Sequence, residues 1–549
     1  MIRITELSLP LDHPDDALRE AIVRRLGIAD ADLREFTVFK RSYDARKKSR
    51  TIDFVYVIDL KARDEAAILK RLARDAHVGP APDTTYHFVA RAPEGHAERP
   101  VVVGFGPCGL FAALVLAQMG FRPLVLERGR DVRRRTQDTW GLWRKKTLDP
   151  ESNVQFGEGG AGLFSDGKLY SQIKDPKFYG RKVMQEFVRA GAPAEILYVS
   201  KPHIGTFRLT GVVTAMRKEI LELGGEVRFE SKVTDLLIEK GRIEGVVLED
   251  GETVRSRHVV LALGHSARDT FRMLHRRGVF LEPKAFSVGF RIEHPQSMID
   301  RARLGSYAGH PALGAADYKL VHHAKNGRAV YSFCMCPGGT VVAATSEAGR
   351  VVTNGMSQYS RNERNANAGI VVGISPEQDF PGGPLAGIEL QERLESLAFE
   401  LGGRDYCAPA QLVGDFISGV PSTAFGEIQP SYQPGVRLGD LAPLLPPEAI
   451  EAIREALPEF GRQIRGFDRD DAVLTGVETR TSSPVRVTRD KETMQSLNIR
   501  GLYPGGEGAG YAGGILSAGV DGIRIAEAVA LSMLAEAPST NATAGAATP

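Results

Sequence analysis

VVVGFGPCGLFAALVLAQMGFRPLVLE, residues 101–127, decides the fold of this chain. An apolar run of β-type, Val101–Val103, enters Gly104-Phe105-Gly106-Pro107-Cys108-Gly109. A helical apolar stretch follows to Gly120, and a second apolar run, Pro123 to Leu126, ends in Glu127. Strand, glycine turn, helix, strand and acid, at a spacing of about 20 residues from turn to acid, make a dinucleotide-binding βαβ unit. Gly104 permits the tight turn, Gly106 admits a pyrophosphate to the backbone, and Gly109 lets helix and strand pack closely. The helix opens at Pro107 and Cys108, where free N–H groups and partial positive charge face the phosphates. Glu127, with Arg128 beside it, is placed to accept hydrogen bonds from an adenosine ribose.

The rest of the chain frames this unit. Its 549 residues suffice for two or three domains. A hydrophobic content of 42% and a charged content of 25% are those of a globular protein. The net charge of +2 gives no global pull toward nucleic acid or membrane. Four cysteines are too few for a disulfide framework and point to a reducing, cytoplasmic setting. No signal peptide is expected at the N-terminus, and 101–119 fits the nucleotide unit better than a membrane span.

Residues 1–95 read as a separate α+β module in the order βαββαβ, a ferredoxin-like plait. Its strands are expected at Ile2 to Leu9, Phe36 to Phe39, Ile52 to Leu60 and Tyr86 to Val89, and its helices at Asp15 to Leu26 and Asp64 to Ala76. The loop between its second and third strands is basic: Lys40, Arg41, Arg46, Lys47, Lys48 and Arg50, with Tyr43 interleaved. It reads either as a solvated hairpin tip or as a contact for nucleic acid or an acidic protein. Residues 96–284 carry the first part of the nucleotide domain, 285–470 an inserted, mostly β substrate domain, and 471–535 the return to strand–glycine–helix grammar. The tail 536–549 is small and polar, of disordered composition.

Three further motifs agree with the first. Val259 to Leu263 is an apolar strand ending in Ala262-Leu263-Gly264, with His265 next. Phe156 to Lys168 is a second glycine loop, containing Gly159, Gly160, Ala161, Gly162, Ser165 and Lys168. Gly501 to Ile515 opens a helix and holds Gly506, Glu507, Gly513, Gly514 and Ile515. Together they resemble the glutathione-reductase-type FAD-binding superfamily. In that superfamily the Ala-x-Gly strand passes the dinucleotide, Val233 would present a backbone edge to adenine, and the glycine loop lies against flavin and pyrophosphate. Glu507 replaces the usual Asp that bonds the ribityl chain. The span 100–535 is similar to a family of uncharacterised bacterial FAD-dependent dehydrogenases, on Gly157 to Leu169, Phe333 to Gly339 and Gly501 to Ile515. The resemblance implies an α/β, Rossmann-like FAD-binding domain with an inserted substrate domain, noncovalent FAD and oxidoreductase activity on a small organic molecule. A helix starting near Gly514 would stabilise negative charge on a reduced flavin.

Only one dinucleotide fingerprint is present, so it is assigned to FAD. NAD(P)H, if it is the electron donor, docks transiently without a Rossmann unit of its own. Cys334-Met335-Cys336 followed by Pro-Gly-Gly is the sharpest chemical oddity. Two readings stand: a flavin-proximal thiol with catalytic Cys334 and Cys336, or two small hydrophobes at a buried strand end. Metal ligation lacks the usual Cys-x-x-Cys pairs, and His322 and His323 are the only nearby partners. The basic stretch Arg128–Arg135 and Arg144–Lys146 is either a phosphate contact or a solvated helix face, and Trp140 and Trp143 pack on adenine or in the core. His265, Arg361, Asn365, Asn367, Arg480 and Arg486 are polar groups that serve either a substrate or a loop. Two rival functions accompany the oxidoreductase: an RNA- or tRNA-acting flavoprotein docking through the basic hairpin, and a non-catalytic flavin-bound sensor.

Overall fold

The computed structural model describes residues 1–45 and 51–536. Arg46, Lys47, Lys48 and Arg50 of the basic hairpin, and the tail beyond Glu536, lie outside the described residues. The N-terminal elements are β1 (Ile2–Pro10), α1 (Ala17–Leu26), β2 (Leu33–Asp44), β3 (Asp53–Ala62), α2 (Glu65–Arg71) and β4 (Val78–Pro80). Their sheet has the order β2-β3-β1-β4 and is antiparallel throughout. Leu18, Ile22 and Leu26 form the buried stripe of α1, which ends at Gly27 in the left-handed region (φ 61°). The fourth strand is a correction to the sequence reading. Tyr86 to Val89 is not a strand; it runs along the nucleotide domain, where the Tyr86 hydroxyl donates to Glu527. Its alternation of Tyr, Phe and Val suits a strand, but the sheet edge is already taken by β4.

The nucleotide domain follows with β5 (Val101–Val103), α3 (Pro107–Gln118), β6 (Leu124–Leu126), α4 (Val132–Lys145), α5 (Tyr179–Arg189), α6 (Thr206–Glu222) and β7 (Glu226–Arg228). A three-stranded antiparallel meander, β8 (Val233–Glu239), β9 (Arg242–Leu248) and β10 (Thr253–Arg255), precedes β11 (Val259–Leu261). Helix α7 (Arg268–Arg276) and β12 (Leu281–Pro283) lead to the second large sheet. That part comprises β13 (Phe286–Pro295), α8 (Gln296–Leu304), β14 (Val321–His323), β15 (Ala329–Cys336), β16 (Gly339–Ala343), β17 (Thr353–Ser357), β18 (Asn365–Ile374), α9 (Ala386–Leu401), β19 (Ala408–Leu412), α10 (Val413–Ser418), β20 (Val436–Leu438), α11 (Pro447–Gln463) and β21 (Val473–Glu478). The chain returns through β22 (Val485–Val487), β23 (Leu502–Pro504) and α12 (Ile515–Glu536).

The first sheet has the order β23-β11-β5-β6-β7 and is parallel at every pair. Its strands are short and, apart from the edge strand β7 (Glu-Val-Arg), buried on both faces, because helices cover both sides. Helix α3 is buried nearly all round, and α12 crosses it at the distance glycine allows. A Cβ on Gly522 would stand 2.3 Å from the Cys108 carbonyl oxygen. The second sheet has the order β14-β15-β18-β13-β21-β19-β20. Val473–Glu478, grouped by its sequence with the nucleotide domain, is a central strand here, between β13 and β19. The periodicity of one apolar strand does not say which sheet receives it. No helix among the described residues is long and apolar enough to cross a membrane.

Candidate functional site

A cleft of about 370 Å³ opens at the carboxyl ends of β5, β6, β11 and β23. That is where open α/β sheets bind ligands, since the chain leaves the strands there in loops free to carry function. The opening turn shows why its residues are glycine. A Cβ on Gly104 (φ 97°) would lie 2.4 Å from the Ala262 carbonyl oxygen, and one on Gly109 would lie 2.0 Å from the Gly104 carbonyl oxygen. Both neighbours are backbone and cannot turn aside. The loop after α4 closes on this turn: a Cβ on Gly160 (φ 60°) would come within 2.7 Å of the Gly106 Cα. The N-termini of α3 and α12 both face the cleft, each with first-turn N–H groups that lack intrahelical partners.

Glu127 is buried at the end of β6. Its carboxylate accepts from the backbone N–H groups of Phe105, Gly129 and Gly157, at 2.8, 2.8 and 2.9 Å. It thus ties three segments of the cleft wall together, and an ionised carboxylate retains capacity for one further donor such as a ribose hydroxyl. The Arg128 guanidinium is held by Glu151 and Asp269 and stacks on Phe156. Arg135 is fully buried and donates to the carbonyls of Asn153, Val154, Gly157 and Glu158. It shapes the loop and does not face the cleft. Arg130 and Arg134 pair with Glu230, and Lys146 with Asp405, so these members of the basic stretch are matched by protein carboxylates. Trp143 belongs to the interior: its indole N–H donates to the Ala343 carbonyl and its ring meets Phe164 edge-on.

The other end of the cleft runs under the second sheet. Phe333, Cys334 and Asn354 line it from that side, and Asp166, Lys168 and Tyr170 from the glycine loop. Asp166 binds Arg361 through two bonds and lies 3.4 Å from Lys168 Nζ. Burial opposes its charge, but Lys168 and Arg361 outweigh it and bring its pKa down to about 2. Glu507 also lines the cleft. Burial pushes its carboxyl up to about 7, against a hydrogen bond from the Gly514 N–H and the charge of Lys284. His265 is driven down to about 3 by burial and then by Arg480 and Arg268, so its imidazole is neutral. Arg480 donates to Ser266 and Ser346 and pairs with Glu395, which also holds Arg268.

Of the cofactor candidates, Gly104, Gly106, Pro107, Cys108, Glu127, Arg128, Gly160, Ala161, Gly162, Ser165, Lys168, Val233, Ala262, Gly264, Gly506, Glu507, Gly513, Gly514 and Ile515 share this one cleft. Gly109 and Gly159 do not. Gly109 packs behind the turn, and Gly159 faces Leu163 and Val213. Cys334 lines the cleft, whereas Cys336 is fully buried behind it, its thiol donating to the Cys334 carbonyl at 3.3 Å. The strand bulge between them explains the difference, since it breaks the alternation that would have put i and i+2 on one face. Asn365 bonds Glu293 and Asn367 bonds Arg291, both inside the sheet. His322 pairs with Glu455, and no group of metal-ligating side chains occurs among the described residues. Asp166, Tyr170, Phe333 and Asn354 were missed. Asp166 stands inside a motif already singled out, while Asn354 carries no sequence signal.

A family model described as "FAD-dependent protein, C-terminal domain-like" matches residues 285–481, and one described as "FAD dependent oxidoreductase" matches 184–367. A domain of unknown function matches residues 1–61. An uncharacterised protein of Clostridium beijerinckii is 48% identical over 528 residues, which is 96% of this chain and 98% of that protein. Among solved structures, L-proline dehydrogenase from P. horikoshii is 14% identical with a TM-score of 0.31, over 79% of this chain and 94% of its own. Glycine oxidase from Bacillus cereus is 12% identical with a TM-score of 0.31, over 79% and 97%. A variant of the halogenase PltM in complex with FAD is 12% identical with a TM-score of 0.38, over 80% and 70%.

Proposed function

We propose a placement for the cofactor of this chain, which belongs to the family of FAD-dependent oxidoreductases that includes the Clostridium beijerinckii protein and takes FAD. The ADP half is assigned to the turn Gly104–Cys108, Glu127 and Val233. The flavin half is assigned to Ala161, Gly162, Lys168, Glu507 and Gly513–Ile515. The residues fit the group: three exposed or open-sided glycines, Gly264, Gly513 and Gly514, meet nothing within 4 Å and leave flat backbone facing the cleft. The observation that carries this placement is continuity. Glu127 at one end and Cys334 at the other line a single cavity, with the N-termini of two helices between them.

FAD, when bound, supplies acceptance or donation of a hydride. The chain's own residues then have three tasks. The N-terminus of α12 presents N–H groups and partial positive charge to an anionic ring system. Glu507, near neutrality, holds or releases a proton at working pH, and Lys168 holds one firmly. Phe333, Tyr170 and Asn354 bound a space for a small organic substrate under the second sheet. The electron partner is a small donor, with NAD(P)H docking transiently as one option. Of the basic residues of the hairpin, Arg41 is engaged within the protein. The Arg41 backbone pairs with Tyr198 and Ser200, and its guanidinium stacks on Phe54 and Tyr198.

Reconstitution with FAD, gel filtration and a visible spectrum test the placement. A flavin spectrum at one equivalent per chain is expected, with anaerobic bleaching by NADH, NADPH or one of a panel of small amino, hydroxy and unsaturated acids. A colourless protein refutes it.

A further inference from the structure

One cluster facing the cleft has no task in holding a dinucleotide. Cys334 sits on the bulge in β15, between Phe333 and Cys336, with φ 42°. That left-handed conformation costs a residue with a Cβ about 1–2 kcal/mol. Three groups hold the strained segment: Arg291 Nη1 donates to the Cys334 carbonyl at 2.9 Å, Cys336 Sγ to the same carbonyl, and Lys168 Nζ to the Met335 carbonyl. The result turns Cys334 to the cleft while Cys336 stays buried.

The charges around it do not balance. Arg291 is matched by Glu478 through two bonds. Arg361 and Lys168 share the single carboxylate of Asp166, so one positive charge is left over. His203, near Arg361, is driven down to about 4 by burial and then by Arg361, and adds no charge. Burial raises the Tyr170 phenol, which stays neutral. The charged groups facing Cys334 are Lys168 and Asp166 from the glycine loop, Arg291 from β13 and Glu478 from β21, with Glu507 from the loop before α12, itself set against Lys284, and the Cys336 thiol on its own strand. A buried excess cation is costly unless an anion meets it.

We propose that Cys334 supplies that anion: a thiolate beside Lys168 at the cleft wall, through which the site reacts with carbon electrophiles. This rests on the cleft being the substrate end of the flavin site. The neighbouring Cys336 side chain, then the charges of Lys168 and Arg291, hold the Cys334 thiol well below the usual range against burial. The neighbouring Cys334 side chain and then burial push Cys336 the other way, so the inner sulfur keeps its proton and donates it to the Cys334 carbonyl.

Iodoacetamide is the probe. The thiolate lone pair forms the S–C bond as the C–I bond breaks and iodide leaves. The rate is followed from pH 5 to 10 on the full chain, both free of FAD and loaded with it, and the labelled residue is located by peptide mass. The midpoint of the profile is read in place of the rate, because nucleophilicity falls with pKa. Labelling at Cys334 is expected, abolished in Cys334→Ser, with a midpoint at least one unit below the ~8.5 of a free thiol. Lys168→Met should raise the midpoint by a unit or more, and Lys168→Arg should leave it low. Labelling absent from Cys334, or a midpoint at or above 8.5 by roughly the free-thiol value, overturns the proposal. So does a midpoint that Lys168→Met leaves unmoved. The FAD-free profile separates this from the cofactor placement. A colourless protein with a low midpoint refutes the placement alone, and a flavin-loaded protein with an ordinary midpoint refutes the thiolate alone.

Discussion

Replacing Gly513 with alanine should weaken FAD binding without touching the fold. In the protein a Cβ at this position meets nothing within 4 Å, and its φ lies outside the left-handed region. Gly513 is exposed to the cleft just before α12. The substitution therefore removes no protein contact and adds no backbone strain. A change within about 0.5 kcal/mol is expected in urea unfolding of the FAD-free protein. A flavin lying flat on this backbone meets the new methyl. Overpacking of one methyl costs about 1–3 kcal/mol, or roughly fivefold to 150-fold in Kd.

Gly109→Ala is the necessary contrast. Its Cβ would stand 2.0 Å from the Gly104 carbonyl oxygen and 3.3 Å from the Ala262 Cβ, so α3 must move by roughly 1.5 Å to restore ordinary contact. Overpacking of about 1–3 kcal/mol there exceeds the helix propensity gained from alanine, about 1 kcal/mol. Gly109→Ala is expected to lose stability and affinity together, whereas Gly513→Ala loses affinity alone. Affinity is measured by quenching of flavin fluorescence on titration. An unchanged Kd for Gly513→Ala would refute the assignment of the flavin to the α12 N-terminus. A large loss of stability in that variant would refute the reasoning from open space.

Further outcomes follow from the buried charges. Glu507 has its carboxyl raised from 4.5 to about 7 in the fold, so the native state binds the extra proton and stability falls as pH rises through that window. Glu507→Gln should be neutral near pH 4 and stabilise the FAD-free protein at pH 8 by up to roughly 3 kcal/mol, seen by urea unfolding at both values. Asp521 on α12 holds Arg489 through two bonds and accepts from the Gly506 N–H at 2.8 Å. Asp521→Ala leaves a buried guanidinium uncompensated and should cost about 3–5 kcal/mol in the same assay. Arg135→Met removes the donor that gathers the carbonyls of residues 153, 154, 157 and 158. It should expose this loop, detected as faster proteolysis between Glu151 and Gly160, with weaker FAD binding.

The nucleotide end was legible because local chemistry dictates it. Gly104 and Gly109 are fixed by close backbone approach, Gly109 to Gly104 within one βαβ unit and Gly104 to Ala262 at the end of the neighbouring strand, and such demands leave a spacing in the sequence. The plait was legible for the same reason, through the stripe of α1 and the alternation of β1 and β3. Its last strand was misplaced because β4 is only Val78–Pro80, too short for a periodicity to show, while Tyr86 to Val89 looks like a strand and packs elsewhere. The sheet that receives Val473–Glu478 was equally hidden, since pairing with β13 and β19 spans sequence separations that no local pattern encodes.

The substrate end resists sequence reading for a different reason: its charge balance is a property of the assembly. Asp166 and Lys168 come from the glycine loop, Arg291 from β13, Cys334 from a bulge in β15, Arg361 from the turn before β18 and Glu478 from β21. Cys334, Lys168 and Arg361 stand out in the sequence one at a time, and nothing there brings them together with Asp166, Arg291 and Glu478. Only their convergence shows three cations set against two carboxylates. The bulge matters most. In a regular strand Cys334 and Cys336 would share a face, and both would be buried or both presented. With the register shifted, one sulfur faces the cleft and the other donates to the Cys334 carbonyl and holds the bulge. A Cys-x-Cys pair split in this way needs no disulfide and no metal, and the chemistry of the outer sulfur is set by Lys168 on a loop about 165 residues away in sequence.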